Sequence, residues 1–128
     1  MTPFARRASL LAVLLLAAAL ATGCRASRPF VEGVSRGVPL LDRDLRHYAA
    51  DDVLRQSQAD GLQALAKDEP RIDADSVDAA WSPVKAWYLP AVDADPRLDE
   101  PKRAARRRAA DGLDKLIADE RRRPFRLP

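Results

Sequence analysis

The sequence predicts an all-α protein, a small three-helix bundle or helical hairpin that follows an apolar N-terminal helix and a flexible tether. Three observations lead there. Apolar residues recur at helical spacing, most clearly at Val77, Trp81, Val84, Tyr88 and Val92. Capping residues and prolines stand where helices would begin and stop, as at Asp99 to Pro101 and at Pro124. No alternation of β-branched and aromatic residues between turn signals predicts a strand.

The first element is built in three parts. Arg6 and Arg7 precede an unbroken Leu, Ala and Val run from Leu10 to Ala21, which small residues close at Thr22-Gly23-Cys24. That order is the pattern of a secretory signal. The rival, a membrane span, is short: the 17 uncharged residues from Ala8 to Cys24 would reach about 25 Å as a helix, against a hydrocarbon core of about 30 Å.

Cys24, the one cysteine in the chain, stands where such a segment would be cut. Leu20-Ala21-Thr22-Gly23-Cys24 resembles the lipobox of bacterial lipoproteins, although Ala21 takes a place where Leu is commoner. The resemblance implies a signal peptide over residues 1–23, a diacylglyceryl group on the Cys24 thiol, and acylated Cys24 as the new N-terminus. It places the protein on the cell membrane or outer membrane, facing the periplasm or exterior. Arg25, rather than Asp, after the cysteine points to the outer membrane where there is one. The alternative is cleavage after Ala19-Leu20-Ala21, which would leave a free thiol.

Without residues 1–23, Arg6 and Arg7 are gone, so the formal charge of +3 falls to +1, with 20 basic residues facing 19 acidic ones. That near-neutrality and export speak against a nucleic-acid partner. The charge is nonetheless sorted. Residues 42–100 hold 14 acidic and 7 basic side chains, whereas residues 101–128 hold 10 basic and 4 acidic. Either the basic segment packs against the acidic ones, the favoured expectation, or it projects toward an anionic partner.

Residues 24–39 mix Gly, Pro and Ser without a sustained period and read as the lipidated N-terminus and tether of a domain over residues 40–124. Leu41, Leu45 and Tyr48 suggest a short helical turn at 40–48. Leu54, Leu62 and Leu65 suggest a helix near 51–68, stopped by Pro70. The central apolar face predicts a helix capped at Asp75 or Ser76, and its period favours one bent helix through Pro83 and Pro90 over two. Asp99 caps the next helix, whose apolar stripe is Ala105, Ala109, Leu113, Leu116 and Ile117, with Arg121 to Arg123 at its electronegative end. Residues 125–128 read as a frayed tail.

Few residues offer chemistry. His47 is the one histidine, too few for a multi-histidine metal site, and Ser57, Ser76 and Ser82 lack a nucleophile-elbow context. Asp73, Asp75, Asp78, Asp93, Asp95, Asp99 and Glu100 do not follow calcium-loop spacing and are better used as caps and solubilising charges. Trp81, Trp87 and Tyr88 fit a core better than a ligand platform. The expectation is therefore no catalytic residue, no metal and no cofactor.

The strongest surface signal is cationic. Arg103, Arg106, Arg107 and Arg108, then Arg121, Arg122 and Arg123, are candidate contacts for a phospholipid, lipopolysaccharide or cell-wall polymer. Residues 81–123 are similar to small Arg- and Ala-rich helical domains of uncharacterised exported proteins from high-GC bacteria, a likeness that implies no activity. The sequence thus predicts a structural or adaptor lipoprotein that meets an envelope protein, with an anionic-ligand module as the alternative and an enzyme last.

Overall fold

Val31, Val34, Val38, Leu41 and Leu45 recur at alternating intervals of three and four, which lays one apolar seam along a helix. In the computed structural model, which describes residues 26–124, that seam is the buried face of α1, Arg28–Tyr48. Ser27 caps it, its Oγ accepting from the Phe30 amide at 3.4 Å, and Pro29 sits in the first turn, where no amide donor is needed. The expected tether is thereby corrected from Arg28 onward: residues 28–39 are the first half of a 21-residue helix, and the turn at 40–48 is its second half. Gly33, Gly37 and Pro39 hid the seam because none of them lies on it; Pro39 is exposed.

A four-residue connection follows, in which Asp51 takes the left-handed region at φ 65°. Asp52 then caps α2, Val53–Ala66, accepting from the Arg55 amide at 3.0 Å. The buried face of α2 is Ala59, Leu62, Gln63 and Ala66; Leu54 is exposed and Leu65 half-buried, so the expected leucine stripe is offset from the true one. Gln63 Nε2 donates to the Val38 carbonyl at 2.8 Å, tying α2 to α1. A 3₁₀ turn, Glu69–Arg71, with Pro70 inside it, leads to the third helix.

The third helix, α3, is Ala74–Ala94, capped by Asp73 rather than by Asp75 or Ser76, with the Ser76 amide 2.7 Å from Asp73 Oδ1. It is continuous through Pro83 and Pro90, both exposed. The carbonyls that these prolines leave without an amide partner therefore lie on the solvated side. Asp99 caps α4, Glu100–Arg122, at 3.0 Å from the Lys102 amide. Its buried residues are Ala110, Leu113 and Ile117. Ala105 and Ala109, expected in the core, are exposed.

The all-α class stands, with four α-helices among the described residues rather than three. Each helix packs on the next and α4 returns to α1, closing a ring, while the short connections make successive neighbours antiparallel. Trp81, Tyr88, Phe30, Leu45 and Leu62 are the largest fully buried side chains, so the aromatics of α3 and α1 fill the centre. No strand occurs among the described residues. The residues expected to form the signal peptide, Cys24 and the frayed tail 125–128 lie outside the described residues.

Candidate functional site

An apolar concavity is set by how α1 and α4 meet. At Gly33 the helices touch closely: a Cβ there would come within 2.8 Å of Leu116 Cδ1. Beyond that point they leave a groove of about 420 Å³. One wall is Gly33, Gly37, Leu40, Leu41 and Asp44 of α1; the other is Ala105, Arg106, Ala109, Gly112, Leu113 and Leu116 of α4, and Tyr88 of α3 also lines it. At Gly37 and Gly112 a Cβ would meet nothing within 4 Å, and Leu40 stands 83% exposed at the edge.

The groove ends at a closed polar cluster. Asp44 Oδ2 accepts from Arg106 Nε at 2.7 Å and from the Tyr88 hydroxyl at 3.1 Å, joining α1, α3 and α4 through one carboxylate. Burial, and then the Asp44 charge, raise the Tyr88 hydroxyl far above its ordinary value. Beside it, 6.0 Å away between ring centres, Tyr48 donates to Asp95 Oδ2 at 2.6 Å. Burial, with Asp95 next, pushes Tyr48 up to about 12. Asp95, itself buried, is held well below the usual carboxylate range by Arg97 first and Tyr48 second. Both tyrosines stay protonated and Asp95 stays ionised near neutrality, and the cluster ties α1, α3 and α4 together.

The structure distributes the seven sequence-predicted arginines unevenly. Arg106 is half-buried against Asp44; Arg107 pairs with Glu100 and, at 3.6 Å, with Asp93. Arg121 bridges α4 to α3 through Asp75 at 2.9 Å and Asp78 at 3.2 Å. Arg123 meets Glu120 at 3.4 Å, and Arg103 donates to the Asp95 carbonyl at 2.8 Å while its buried Nε has no partner. Arg108 and Arg122 are exposed and without an ion pair among the described residues. The basic helix is thus largely neutralised by the acidic half, and the seven do not form one surface.

Other expectations resolve locally. Trp81 and Tyr88 are fully buried, and Trp87 is half-buried, donating to Gln58 Oε1 at 2.9 Å with Arg55 over its ring. His47 is exposed against Tyr48. The acidic residues act as caps and ion-pair partners, as at Asp73, Asp99, Asp75 and Asp78. Among the described residues no group of three or more His, Cys, Asp or Glu could hold a metal ion, and no helix is long and apolar enough to cross a membrane. No protein-family model, curated protein or solved structure matches the chain.

Sequence reasoning missed the groove. By sequence, Gly33 and Gly37 belong to the expected tether and Ala105 and Ala109 to the expected core stripe. The available signal was an apolar residue, Leu40, that falls off the Val31-to-Leu45 seam.

Proposed function

We propose that the protein is a membrane-anchored envelope lipoprotein with an adaptor role, attached through lipid on Cys24 and presenting the helical domain to another envelope protein. The observation that carries the adaptor part is the groove between α1 and α4, an open apolar surface on a domain whose charges otherwise largely satisfy one another. The lipobox resemblance carries the anchor. Only Arg25, Ala26 and Ser27 separate Cys24 from the first helical residue, so the linking chain spans at most about 14 Å when extended. An anchored domain would therefore stay at the membrane surface instead of ranging from it on a long tether. Two or three acyl chains make such attachment stable without help from the domain, leaving the domain free for contacts of its own.

Two measurements on the same cells test this. Intact-mass analysis of the membrane fraction is expected to show acylated Cys24 and loss of residues 1–23; an unmodified mature thiol overturns the anchor. Co-purification from wild-type and Cys24→Ser cells is expected to recover a protein partner that depends on anchoring. Recovery of anionic polymer or lipid alone would favour the ligand-binding module instead.

A further inference from the structure

We infer that the α1–α4 groove receives a helix of a protein partner, apolar on the side that enters the groove and acidic on the flank that meets α1; this rests on the adaptor reading above. Three observations combine. The groove is lined almost wholly by carbon, and it runs from Gly33 to Asp44, 11 residues of helix or about 16 Å, the length of three helical turns. Its floor is held open at a cost. Gly37 and Gly112 are interior helical positions where a Cβ would meet nothing within 4 Å among the described residues, yet each forgoes the better helix propensity of alanine. Small residues at a groove floor let a third backbone approach closely, as a side-chain-lined groove would not.

Charge then selects the partner. Arg36 and Arg43 lie four residues before and three after Leu40, so they share its exposed edge of the groove. Both are exposed, and neither has an ion-pair partner among the described residues. On the opposite edge Arg108 and Lys115 flank Gly112 at the same offsets, but Asp111 stands between them and Asp119 beyond. The unbalanced positive charge belongs to the α1 edge, where two guanidiniums two turns apart match carboxylates spaced seven residues apart on a helix. A second copy of this chain is disfavoured, because an isologous contact would bring Arg36 and Arg43 against their own equivalents and set concavity on concavity. A flat anionic bilayer is a poor fit to a narrow trough with a net excess of only two charges.

The test uses the full-length chain in producing cells, with a photo-crosslinking amino acid at Leu40, at Ala109, or at Ala86 on the exposed side of α3. The expected result is a protein adduct from Leu40 and Ala109 but not from Ala86, with the crosslinked segment an acidic amphipathic helix. Arg36→Glu with Arg43→Glu should cut adduct yield about tenfold. Gly112→Leu, which puts a bulky side chain into the groove from a position whose Cβ has nothing within 4 Å among the described residues, should abolish it; helicity and melting of each variant establish that it folds. Adducts to phospholipid, to a second copy, or to a segment that is not acidic overturn the inference, as does a yield indifferent to charge reversal. Protein adducts from Ala86 alone would sink the groove while leaving the adaptor reading intact, and the absence of any protein adduct would sink both.

Discussion

Gly33 lies directly beneath Leu116, where a Cβ would fall 2.8 Å from one Leu116 methyl and 2.9 Å from the other. Gly37, one turn along, and Gly112 across the groove would meet nothing within 4 Å. Three helical glycines therefore have two different reasons to exist, and alanine separates them. Gly37→Ala and Gly112→Ala should each stabilise the fold by about 0.5–1 kcal/mol through helix propensity. Gly33→Ala should lose that gain, because Leu116 must swing aside. Urea denaturation of the three variants measures the contrast; equal gains at all three would show that Gly33 does not set the helix separation.

The same glycines explain what could be read beforehand. The α3 face and the Asp99 cap of α4 were legible because every Val, Trp and Tyr in that period turned out to be buried, and because a cap, a Glu and a proline stood in order. The start of α1 was not. Its seam from Val31 to Leu45 is regular, but the residues beside it, Gly33, Gly37 and Pro39, have loop composition for reasons that belong to the groove and the solvent side. The α4 alanines misled in the opposite sense, since Ala105 and Ala109 are small and apolar like core residues but face the open groove. An open groove walled by glycine and alanine resembles core from one helix and loop from the other, which is why it was the least legible part.

The Tyr48–Asp95 hydrogen bond of 2.6 Å makes stability depend on pH at both ends. Asp95 sits below its ordinary value of 3.8, so its contribution is complete above that value and is lost as pH falls toward the lower folded one. Tyr48 is raised from 10.0 to about 12, so its contribution is complete below pH 10 and is lost as pH rises through 12. The urea midpoint should be flat between about pH 5 and 9 and fall on either side. Tyr48→Phe should flatten part of the alkaline fall, with the buried Tyr88 supplying the rest. An unchanged alkaline limb would place Tyr48 outside the folded hydrogen-bond network.

Asp44 and Arg106 test whether the groove's polar end holds the bundle together. Both side chains are between a quarter and a third exposed, at 27% and 29%, and their 2.7 Å contact joins α1 to α4. A double-mutant cycle with Asp44→Asn and Arg106→Gln should give a coupling of about 1 kcal/mol, the upper end for exposed pairs. The Arg121–Asp75 pair, with Asp75 91% exposed, should give less than about 0.5 kcal/mol. The reverse order would mean that the groove end is wet and loose.

Asp51 carries the only positive φ among the described non-glycine residues, 65°, in the turn between α1 and α2. Asp bears this conformation better than most side chains, but glycine bears it without a Cβ penalty. Asp51→Gly should therefore raise stability, or leave it level once the added freedom of the unfolded chain is counted, while Asp51→Val should lower it by about 1–2 kcal/mol. Thermal melts read both; a harmless valine would argue that the turn adopts another conformation in solution.

Trp81 separates packing from hydrogen bonding in the core. It is fully buried, its Nε1 donates to Asp114 Oδ1 at 2.8 Å, and Lys85 Nζ reaches the same carboxylate at 3.1–3.2 Å. Trp81→Phe removes the donor and part of the ring, yet Asp114 keeps Lys85 and remains partly solvated, so no carboxylate is stranded. Trp81→Ala also opens a cavity at the centre of the ring of helices, and should cost about 3–5 kcal/mol, which a domain of this size hardly tolerates. The phenylalanine variant should lie well short of that loss, and Trp81→Phe combined with Asp114→Asn should be little worse than Trp81→Phe alone. If the second substitution instead added a large further loss, Asp114 would be holding α4 to α3 chiefly through Lys85, and the tryptophan hydrogen bond would be the minor partner.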